Sequence, residues 1–426
     1  GAGANGAQRA QQPLSVAAAA PKRRAARGIR AGHRTARRTA HRTAHHTAHR
    51  TAVGRPSLGL SGAPELAEQW CQRLATAVPQ TRVLLLLAGT DTAGVEGISA
   101  AGATPDSRRL TAAADAELLW QGPAAERPHA LPPLPAGVTP AVIAWAVLQG
   151  LNLPPLVLDL GAPVAPAIPH LQLNQSPARC LSTGAAMAPD RVQRLWSWGE
   201  RWGRSLARTG EPVLLSECVP GGTTTALAVL EALGVPSMGL VSGSVRQPDH
   251  QLKQRLVQEG LVAAQLPEDS GPQAVLAAVG DPMQVVAAAL LKRAALGGAP
   301  LLLAGGSQMA AVWALAMAAC RPEERQRLVR QSAVVTTAWV AHESASDFPG
   351  LLAQLASRFG VEPLAFATGL RFTGSRRPEL LDYERGYVKE GVGAGGLAAL
   401  WQLSGRPLSA LVSACELACD QLLHSA

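Results

Sequence analysis

The chain is poor in aromatic side chains, which make up 4% of its 426 residues, and nine of those fifteen are tryptophan. Hydrophobic residues nevertheless reach 47%, which is enough for a sizeable core. Alanine, leucine, valine and glycine must therefore do most of the packing, as is common in layered α/β proteins. The length allows one large domain or two of ordinary size.

Several motifs that would identify a chemistry are also absent. The sequence contains no G-x-S-x-G, no H-E-x-x-H and no G-x-x-x-x-G-K-S/T, so it indicates no serine hydrolase, zinc protease or P-loop. The six cysteines have no C-x-x-C spacing, which argues for a reducing compartment and against a disulfide framework or zinc site. Histidines outside the N-terminal repeat are well separated. No metal and no other cofactor is therefore expected.

Acidic residues are missing from residues 1–64, which hold twelve of the 39 Lys and Arg residues. The other 27 basic and all 30 acidic residues give the remainder a net charge of −3, although the whole chain carries +9. A basic protein of this kind suggests a nucleic-acid partner, but here that interpretation depends on the tail alone. No nucleic-acid partner is expected for the folded part.

The basic N-terminal segment has low complexity, with four-residue units such as RTAR and RTAH recurring between Arg34 and Ala52. We predict that residues 1–60 form a disordered tail and that residues 61–426 form one domain. The tail resembles an organelle transit peptide, and a spurious upstream translation is an equal alternative. The expected location is the cytoplasm, or the plastid stroma if the tail is a transit peptide.

Short apolar runs alternate with helical patterns through the rest of the chain. The predicted strands are residues 82–88, 156–160, 213–215, 237–242, 301–304, 333–339 and 364–368. This alternation predicts an α/β fold with a doubly wound, mainly parallel sheet, Rossmann-like and three-layered. Three helices, at residues 65–78, 397–403 and 408–423, flank no predicted strand, and we expect them to form a small helical lobe. Residues 89–109 are expected to form a long polar loop.

A membrane span is the weaker interpretation of residues 294–320, which are uncharged over 27 residues. Two glycine pairs and Pro300 divide this stretch into a short strand and a helix. We therefore expect no membrane partner, and a membrane component remains a third hypothesis for the whole chain.

Residues 212–234 read as a buried strand, a Gly221-Gly222 turn and a helix. Thr223 is the predicted N-cap of that helix. A turn of this kind directs backbone amides and the positive end of a helix at one point, which suits a phosphate. Glu217 lies beside it at the strand end, so an acid and an anion site are expected to share a pocket.

Two more glycine turns follow the same logic. Residues 305–308 (GGSQ) come directly after a predicted strand, and residues 391–396 (GVGAGG) follow Glu390. The latter matches G-x-G-x-x-G, but the polar sequence before it and the thirty residues after it exclude a dinucleotide-binding unit. Glu390 is either a general base with a raised pKa, as a carboxylate among apolar groups can be, or an ordinary surface glutamate.

These three motifs together resemble those of the nicotinate-nucleotide–dimethylbenzimidazole phosphoribosyltransferase family, over residues 63–423. Residues 217–224 (ECVPGGTT) resemble its Glu-Met-Gly-Ile-Gly-Asn-Thr-Thr, residues 305–311 (GGSQMAA) its Gly-Gly-Phe-Glu-Ile-Ala-Ala, and residues 390–394 (EGVGA) its Glu-Gly-Thr-Gly-Ala. The resemblance is closest to a divergent archaeal and cyanobacterial branch.

The resemblance implies transfer of the phosphoribosyl group of nicotinate mononucleotide to a benzimidazole-type base, giving α-ribazole phosphate in cobamide lower-ligand synthesis. The acceptor is expected to be an azole or a purine, and Glu390 would deprotonate it. Glu217 would line the same cleft. It also implies a homodimer and no metal. The residues implied in substrate and phosphate binding are Gly221, Gly222, Thr223, Thr224, Gly305, Gly306, Ser307, Gln308, Gly391 and Gly393.

Departures from the family pattern keep an alternative open. Gly222 stands where the family has Asn, Val392 where it has Thr, and Ser307-Gln308 where it has Phe-Glu. Lys389 stands where Gly is usual, and an ion pair with Glu390 would lower the pKa of that carboxyl and oppose a base role. The alternative is a non-catalytic protein of the same fold that binds a nucleotide or a cobamide precursor.

Overall fold

The computed structural model describes residues 58–424, so nearly all of the predicted tail, residues 1–60, lies outside the described residues. Eight strands form one sheet in the order β1-β8-β7-β6-β5-β2-β3-β4. The strands are β1 (Leu58–Ser61), β2 (Arg82–Leu87), β3 (Pro155–Asp159), β4 (Leu171–Gln172), β5 (Val213–Cys218), β6 (Leu301–Ala304), β7 (Ser332–Thr336) and β8 (Ala365–Ala367). Only the pairing of β1 with β8 is antiparallel among these strands. The predicted α/β class with a mainly parallel sheet is confirmed.

Helices cover both faces of the sheet. The helices are α1 (Pro64–Ala75), α2 (Pro105–Arg108), α3 (Thr111–Gln121), α4 (Ala141–Leu151), α5 (Pro189–Thr209), α6 (Gly222–Ala232), α7 (His250–Ala264), α8 (Pro272–Val279), α9 (Pro282–Leu296), α10 (Ser307–Ala318), α11 (Pro322–Gln331), α12 (Ala338–Ala341), α13 (Phe348–Phe359), α14 (Pro378–Glu384), α15 (Ala394–Leu403) and α16 (Leu408–His424). Helix α2 lies within the segment that was expected to be a long loop. No helix in the described residues is long and apolar enough to span a membrane.

Strand β2 shows how the sequence builds three layers. Its side chains are apolar on both faces, and successive side chains of a strand point to opposite sides. Leu84 and Leu86 belong to one core, which includes residues of α5, α6, α9 and α10. Leu85 and Leu87 belong to the other, which includes residues of α3, α4 and α15. Burial on both faces explains why the strand is a continuous apolar run.

The separate helical lobe predicted from the terminal helices is wrong. Helices α1, α15 and α16 contribute Trp70, Leu397 and Leu411 to the same core as Leu85. Trp70 stacks on Phe366 of β8 with ring centroids 5.3 Å apart. These helices cover one face of the sheet because the apolar side chains on that face would otherwise be exposed to water.

The strand predicted at residues 237–242 is also wrong. This segment forms turns, and Gly239 has a φ of 77°, which ends any extended conformation. The amide of Ser242 donates to Oγ of Ser307 (3.0 Å) instead of to a neighbouring strand. Strands β1 and β4, at the two edges of the sheet, had no clear sequence signal.

The order in which the chain adds strands to the sheet reverses between β2 and β5. After β2 the chain continues outward through β3 and β4, whereas after β5 it continues through β6, β7 and β8 on the other side. In open parallel sheets the crevice at the carboxyl ends of two such strands is where ligands bind. The carboxyl ends of β2 and β5 therefore mark the expected position of a site.

Candidate functional site

A cavity of about 610 Å³ lies where this topology places a site. Its lining brings together the three glycine turns, which are separated by more than 80 residues at each step of the sequence. The predicted site residues in the lining are Glu217, Gly221, Gly222, Thr223, Gly306, Ser307, Gln308, Glu390 and Gly391. The other three, Thr224, Gly305 and Gly393, are buried and are not part of this lining. The fold therefore brings the three motifs together, with nine of the predicted site residues lining the cavity and the other three behind the lining.

The turn before α6 is built differently from the sequence prediction. Gly221 is the N-cap, with a φ of 79°, and Gly222 is the first helical residue. The predicted N-cap role of Thr223 is wrong, because the chain reaches the helix through a left-handed residue that only glycine adopts at little cost. Oγ1 of Thr223 instead accepts a hydrogen bond from Nζ of Lys253 (2.9 Å).

Two helices begin at the cavity, α6 at Gly222 and α10 at Ser307. Gly222 and Gln308 are close enough that a Cβ on Gly222 would lie 2.1 Å from Oε1 of Gln308. The first turns of these helices carry amides without helical partners and a partial positive charge. Together the starts of α6 and α10 form a site suited to an anion.

Lys253 lies behind this site, outside the lining of the cavity, and was missed by the sequence analysis. It lies on α7 and is 2% exposed, and its Nζ also donates to the carbonyl of Ser242 (3.0 Å). Burial lowers the pKa of Lys253 to about 8, with a further decrease from Lys389 that Glu343 opposes. Because the chain has only four lysines, a lysine next to apolar Leu252 on a helix was the available signal.

Glu390 is held by four hydrogen bonds. Its Oε2 accepts from Oγ1 of Thr336 (3.0 Å) and the amide of Thr337 (2.9 Å), and its Oε1 accepts from the amides of Gly391 (3.1 Å) and Gly395 (3.0 Å). Burial raises the pKa of Glu390 to about 7, although these four donors favour the charged form and act in the opposite direction. A carboxyl group with this pKa is matched to accepting a proton near neutral pH.

Glu217, at the end of β5, is a second buried acid in the cavity. Its Oε2 accepts from the amide of Val219 (3.0 Å). Burial, and then the charges of Asp281 and Glu390, raise the pKa of Glu217 to about 8. At neutral pH Glu217 is therefore mainly protonated, and Glu390 is the carboxyl group that ionises first.

Lys389 does not pair with Glu390, so that interpretation is wrong. Its Nζ forms a buried ion pair with Glu343 and donates to the carbonyl of Val245 (3.2 Å). The φ of Lys389 is 65°, in the left-handed region.

Asp115, on α3, is a further acid in the lining that the sequence did not single out. Its carboxyl oxygens accept from Oγ1 of Thr139 (2.6 Å) and from Sγ of Cys218 (3.5 Å). Burial raises the pKa of Asp115 to about 6. The described residues contain no group of three or more His, Cys, Asp or Glu side chains placed to hold a metal ion.

The family model described as "Phosphoribosyltransferase" matches residues 141–349 of the chain. This segment contains the first two glycine turns and ends before Glu390. Two solved structures from Thermus thermophilus have similar folds. One is "CobT", with a TM-score of 0.52, 20% identity and coverage of 83% of this chain and 93% of that one. The other is a nicotinate-nucleotide–dimethylbenzimidazole phosphoribosyltransferase, with a TM-score of 0.52, 19% identity and coverage of 86% and 95%.

Relatives with much higher identity carry the name "UPF0284 protein". The protein from Parasynechococcus marenigrum is 55% identical over 367 residues, covering 84% of this chain and 91% of the relative. The protein from Prochlorococcus marinus is 51% identical over 350 residues, covering 80% and 86%. These relatives support the cyanobacterial but not the archaeal part of the expected resemblance. The chain therefore belongs to the UPF0284 proteins, its residues 141–349 match the phosphoribosyltransferase model, and it is an enzyme of the glycosyltransferase type.

Proposed function

We propose that this protein transfers the phosphoribosyl group of nicotinate mononucleotide to a benzimidazole-type base in cobamide lower-ligand synthesis. One observation carries the proposal: a single cavity is lined by the first turns of two helices, which suit a phosphate, and by Glu390, a carboxyl group whose pKa burial raises to about 7. The coarser assignment to a phosphoribosyltransferase of cobamide synthesis is supported by the family match and the similar folds.

The 5′-phosphate of the donor would lie at the first turns of α6 and α10. The amide of Ser307 lies at the start of α10, whereas the amide of Gly222 already donates to the carbonyl of Val219 (2.9 Å). Lys253 contributes positive charge from behind Thr223. Helix N-termini are established sites for phosphate groups. Binding there would fix the ribose in the cavity and leave its C1′ free to face the acceptor.

In the reaction, Glu390 would accept the N–H proton of the acceptor base. The unprotonated ring nitrogen of the base forms a bond to C1′ of the ribose, and the bond from C1′ to the nicotinate nitrogen breaks. The electron pair of the broken bond stays on that nitrogen, so nicotinate leaves with an uncharged ring. Loss of the pyridinium charge and transfer of one proton to Glu390 balance the step.

Incubation of the purified protein with nicotinate mononucleotide and dimethylbenzimidazole, followed by chromatography, tests the proposal. We expect equal amounts of α-ribazole phosphate and nicotinate. Glu390→Gln should remove turnover. Glu211→Gln is the matched control, because Glu211 pairs with Arg82 at the amino ends of β5 and β2, opposite the carboxyl ends that face the cavity. Absence of product with every azole and purine base would overturn the proposal.

The hydrogen bonding of Glu390 favours a second candidate, a non-catalytic protein that binds a nucleotide or a cobamide precursor. Four donors already occupy both carboxyl oxygens, which reduces their capacity to accept a further proton. A thermal shift with nicotinate mononucleotide that persists in Glu390→Gln, together with no turnover in the unaltered protein, would favour this candidate.

We also propose a homodimer, on the basis of the family resemblance, and a cytoplasmic location or, if residues 1–60 act as a transit peptide, the plastid stroma. Light scattering after size-exclusion chromatography would give the mass of the assembly. A fluorescent fusion with and without residues 1–60 would test the location.

A further inference from the structure

The backbone that leads into Glu390 is strained. The amide of Lys389 donates to the carbonyl of Tyr387 (2.8 Å), and the amide of Glu390 donates to that of Val388 (2.8 Å). These bonds close two successive three-residue turns, whose central residues Val388 and Lys389 have φ values of 64° and 65°. Turns of this kind with positive φ are rare, and a β-branched residue such as valine is especially unfavourable there. The segment 387–393 is called the carboxylate turn below.

The strain continues beyond the carboxyl group. Val392 has a φ of 53°, and its amide donates to the backbone carbonyl of Glu217 (3.2 Å). Gly393 packs so closely on β5 that a Cβ there would lie 2.5 Å from Cβ of Ser216. Strained backbone persists only where the surroundings hold it in place, and such places are concentrated at functional sites.

Three contacts hold the first half of the carboxylate turn. The buried Lys389 side chain pairs with Glu343, from the segment between α12 and α13, and both side chains are at most 5% exposed. Oγ1 of Thr337 donates to the Lys389 carbonyl (2.6 Å), and the amide of Val388 donates to the carbonyl of Ser244 (3.1 Å). Lys389 is thus fixed at both its backbone and the end of its side chain.

We propose that Lys389 is a positioning residue, and that its buried ion pair with Glu343 holds the carboxylate turn so that Glu390 faces the cavity. The inference rests on the proposed function, because it takes Glu390 as the group that accepts the proton. Removing one partner leaves a buried charge without compensation, and the strained turn then loses its anchor. Glu390 would move away from the reacting atoms, whereas the starts of α6 and α10 would stay in place.

This role predicts a loss in kcat without a matching change in KM. Lys389→Met and Glu343→Gln should each lower kcat roughly 10- to 100-fold, as expected when a reacting group is displaced by about 1 Å. The KM for nicotinate mononucleotide should stay within about threefold, because the helix starts that would bind phosphate are unchanged. The double variant should lose about as much as either single variant, because the two side chains act as one unit.

Two further variants separate positioning from general stability. Lys389→Arg keeps a cation opposite Glu343 and should recover most of the lost kcat. Arg82→Met removes a cation from an ion pair with Glu211. This pair lies at the amino ends of β2 and β5, away from the cavity, so the variant should leave kcat unchanged. Unaltered kcat in Lys389→Met or Glu343→Gln, or no recovery with arginine, would overturn the inference.

Amide hydrogen exchange gives a readout that does not depend on turnover. The amides of Gly391 and Gly395 donate to Glu390, so they should exchange at least about tenfold faster in Lys389→Met and at the same rate in Arg82→Met. If the unaltered protein has no activity, the proposed function fails while this exchange still tests the anchor. Equal protection in Lys389→Met and the unaltered protein would overturn the inference in either case.

Discussion

The side chain of Gln308 fills the space next to Gly222: a Cβ on Gly222 would lie 2.1 Å from Oε1 and 2.6 Å from Cδ of Gln308. Both positions differ from the family pattern, which has Asn and Glu there. The side chain of Gln308 therefore occupies the space that a larger residue at position 222 would need.

Replacement of Gly222 by alanine should weaken binding of nicotinate mononucleotide roughly 10- to 100-fold, because the added methyl group forces the Gln308 side chain toward the proposed phosphate site. Combining it with Gln308→Ala should bring the KM back to within about threefold of Gln308→Ala alone. Steady-state kinetics of the four proteins test this coupling. Normal binding by Gly222→Ala alone would show that Gln308 moves aside without cost.

The pH dependence of kcat/KM should reflect Glu390 in the free protein. Because a general base acts in its deprotonated form and the pKa of Glu390 is about 7, kcat/KM should rise with pH and reach half of its plateau near pH 7. Glu217→Gln should leave the position of this rise unchanged, since the pKa of Glu217 is about 8 and that group is already uncharged there. A rise that moves by more than about one pH unit in Glu217→Gln would contradict the assignment to Glu390.

Stability should change with pH in the opposite direction. Burial raises the pKa of Glu217 to about 8 and of Glu390 to about 7, from an ordinary value of 4.5. At these two groups the folded protein holds protons that the unfolded chain has released. Their contribution to stability is therefore full below about pH 4.5 and is lost as pH rises through 7 and 8. For each unit by which a pKa is raised, up to ~1.4 kcal/mol is lost.

Thermal melts between pH 5 and pH 8 would measure this decline. Glu217→Gln should have a flatter profile than the unaltered protein. The range ends at pH 8 because the pKa of Lys253 is lowered to about 8, and its deprotonation stabilises the fold at higher pH. A steeper decline in Glu217→Gln would contradict the raised pKa of that group.

Removal of the Lys253 charge should act on phosphate binding. Lys253→Met should raise the KM for nicotinate mononucleotide ~10- to 100-fold, the range for a hydrogen bond to a charged group. The affinity for nicotinate riboside, which lacks the phosphate, should not change. Lys292→Met, on α9, is the matched control. An equal effect on the nucleotide and the riboside would place Lys253 outside the phosphate site.

The sequence predicted those features that depend on local pattern. Strand β2 was evident because burial on both faces requires an uninterrupted apolar run. Asp281-Pro282 at the start of α9 carries the same kind of local signal, since Asp281 forms the capping box with Gln284. The meeting of the three glycine turns was predicted from the family resemblance, because only the first two turns directly follow a predicted strand.

Features that depend on distant contacts were not predictable in the same way. Lys389 pairs with a residue 46 positions away, and Lys253 contacts one 30 positions away, so neither partner follows from spacing. The apolar segment 237–242 resembled a strand, but the amide of Ser242 donates to the side chain of Ser307 on α10. Thr223 had the right type for a cap, yet Gly221 takes that position because the turn requires a positive φ.

The two edges of the sheet restrict how copies of this protein can associate. Edge strand β4 has two residues, and the other edge is the four-residue strand β1, whose register shifts between Gly59 and Ser61. Short and irregular edges offer few free amides and carbonyls for a second chain. The proposed homodimer would therefore form through helices and loops, and a continuous sheet across two subunits is not expected.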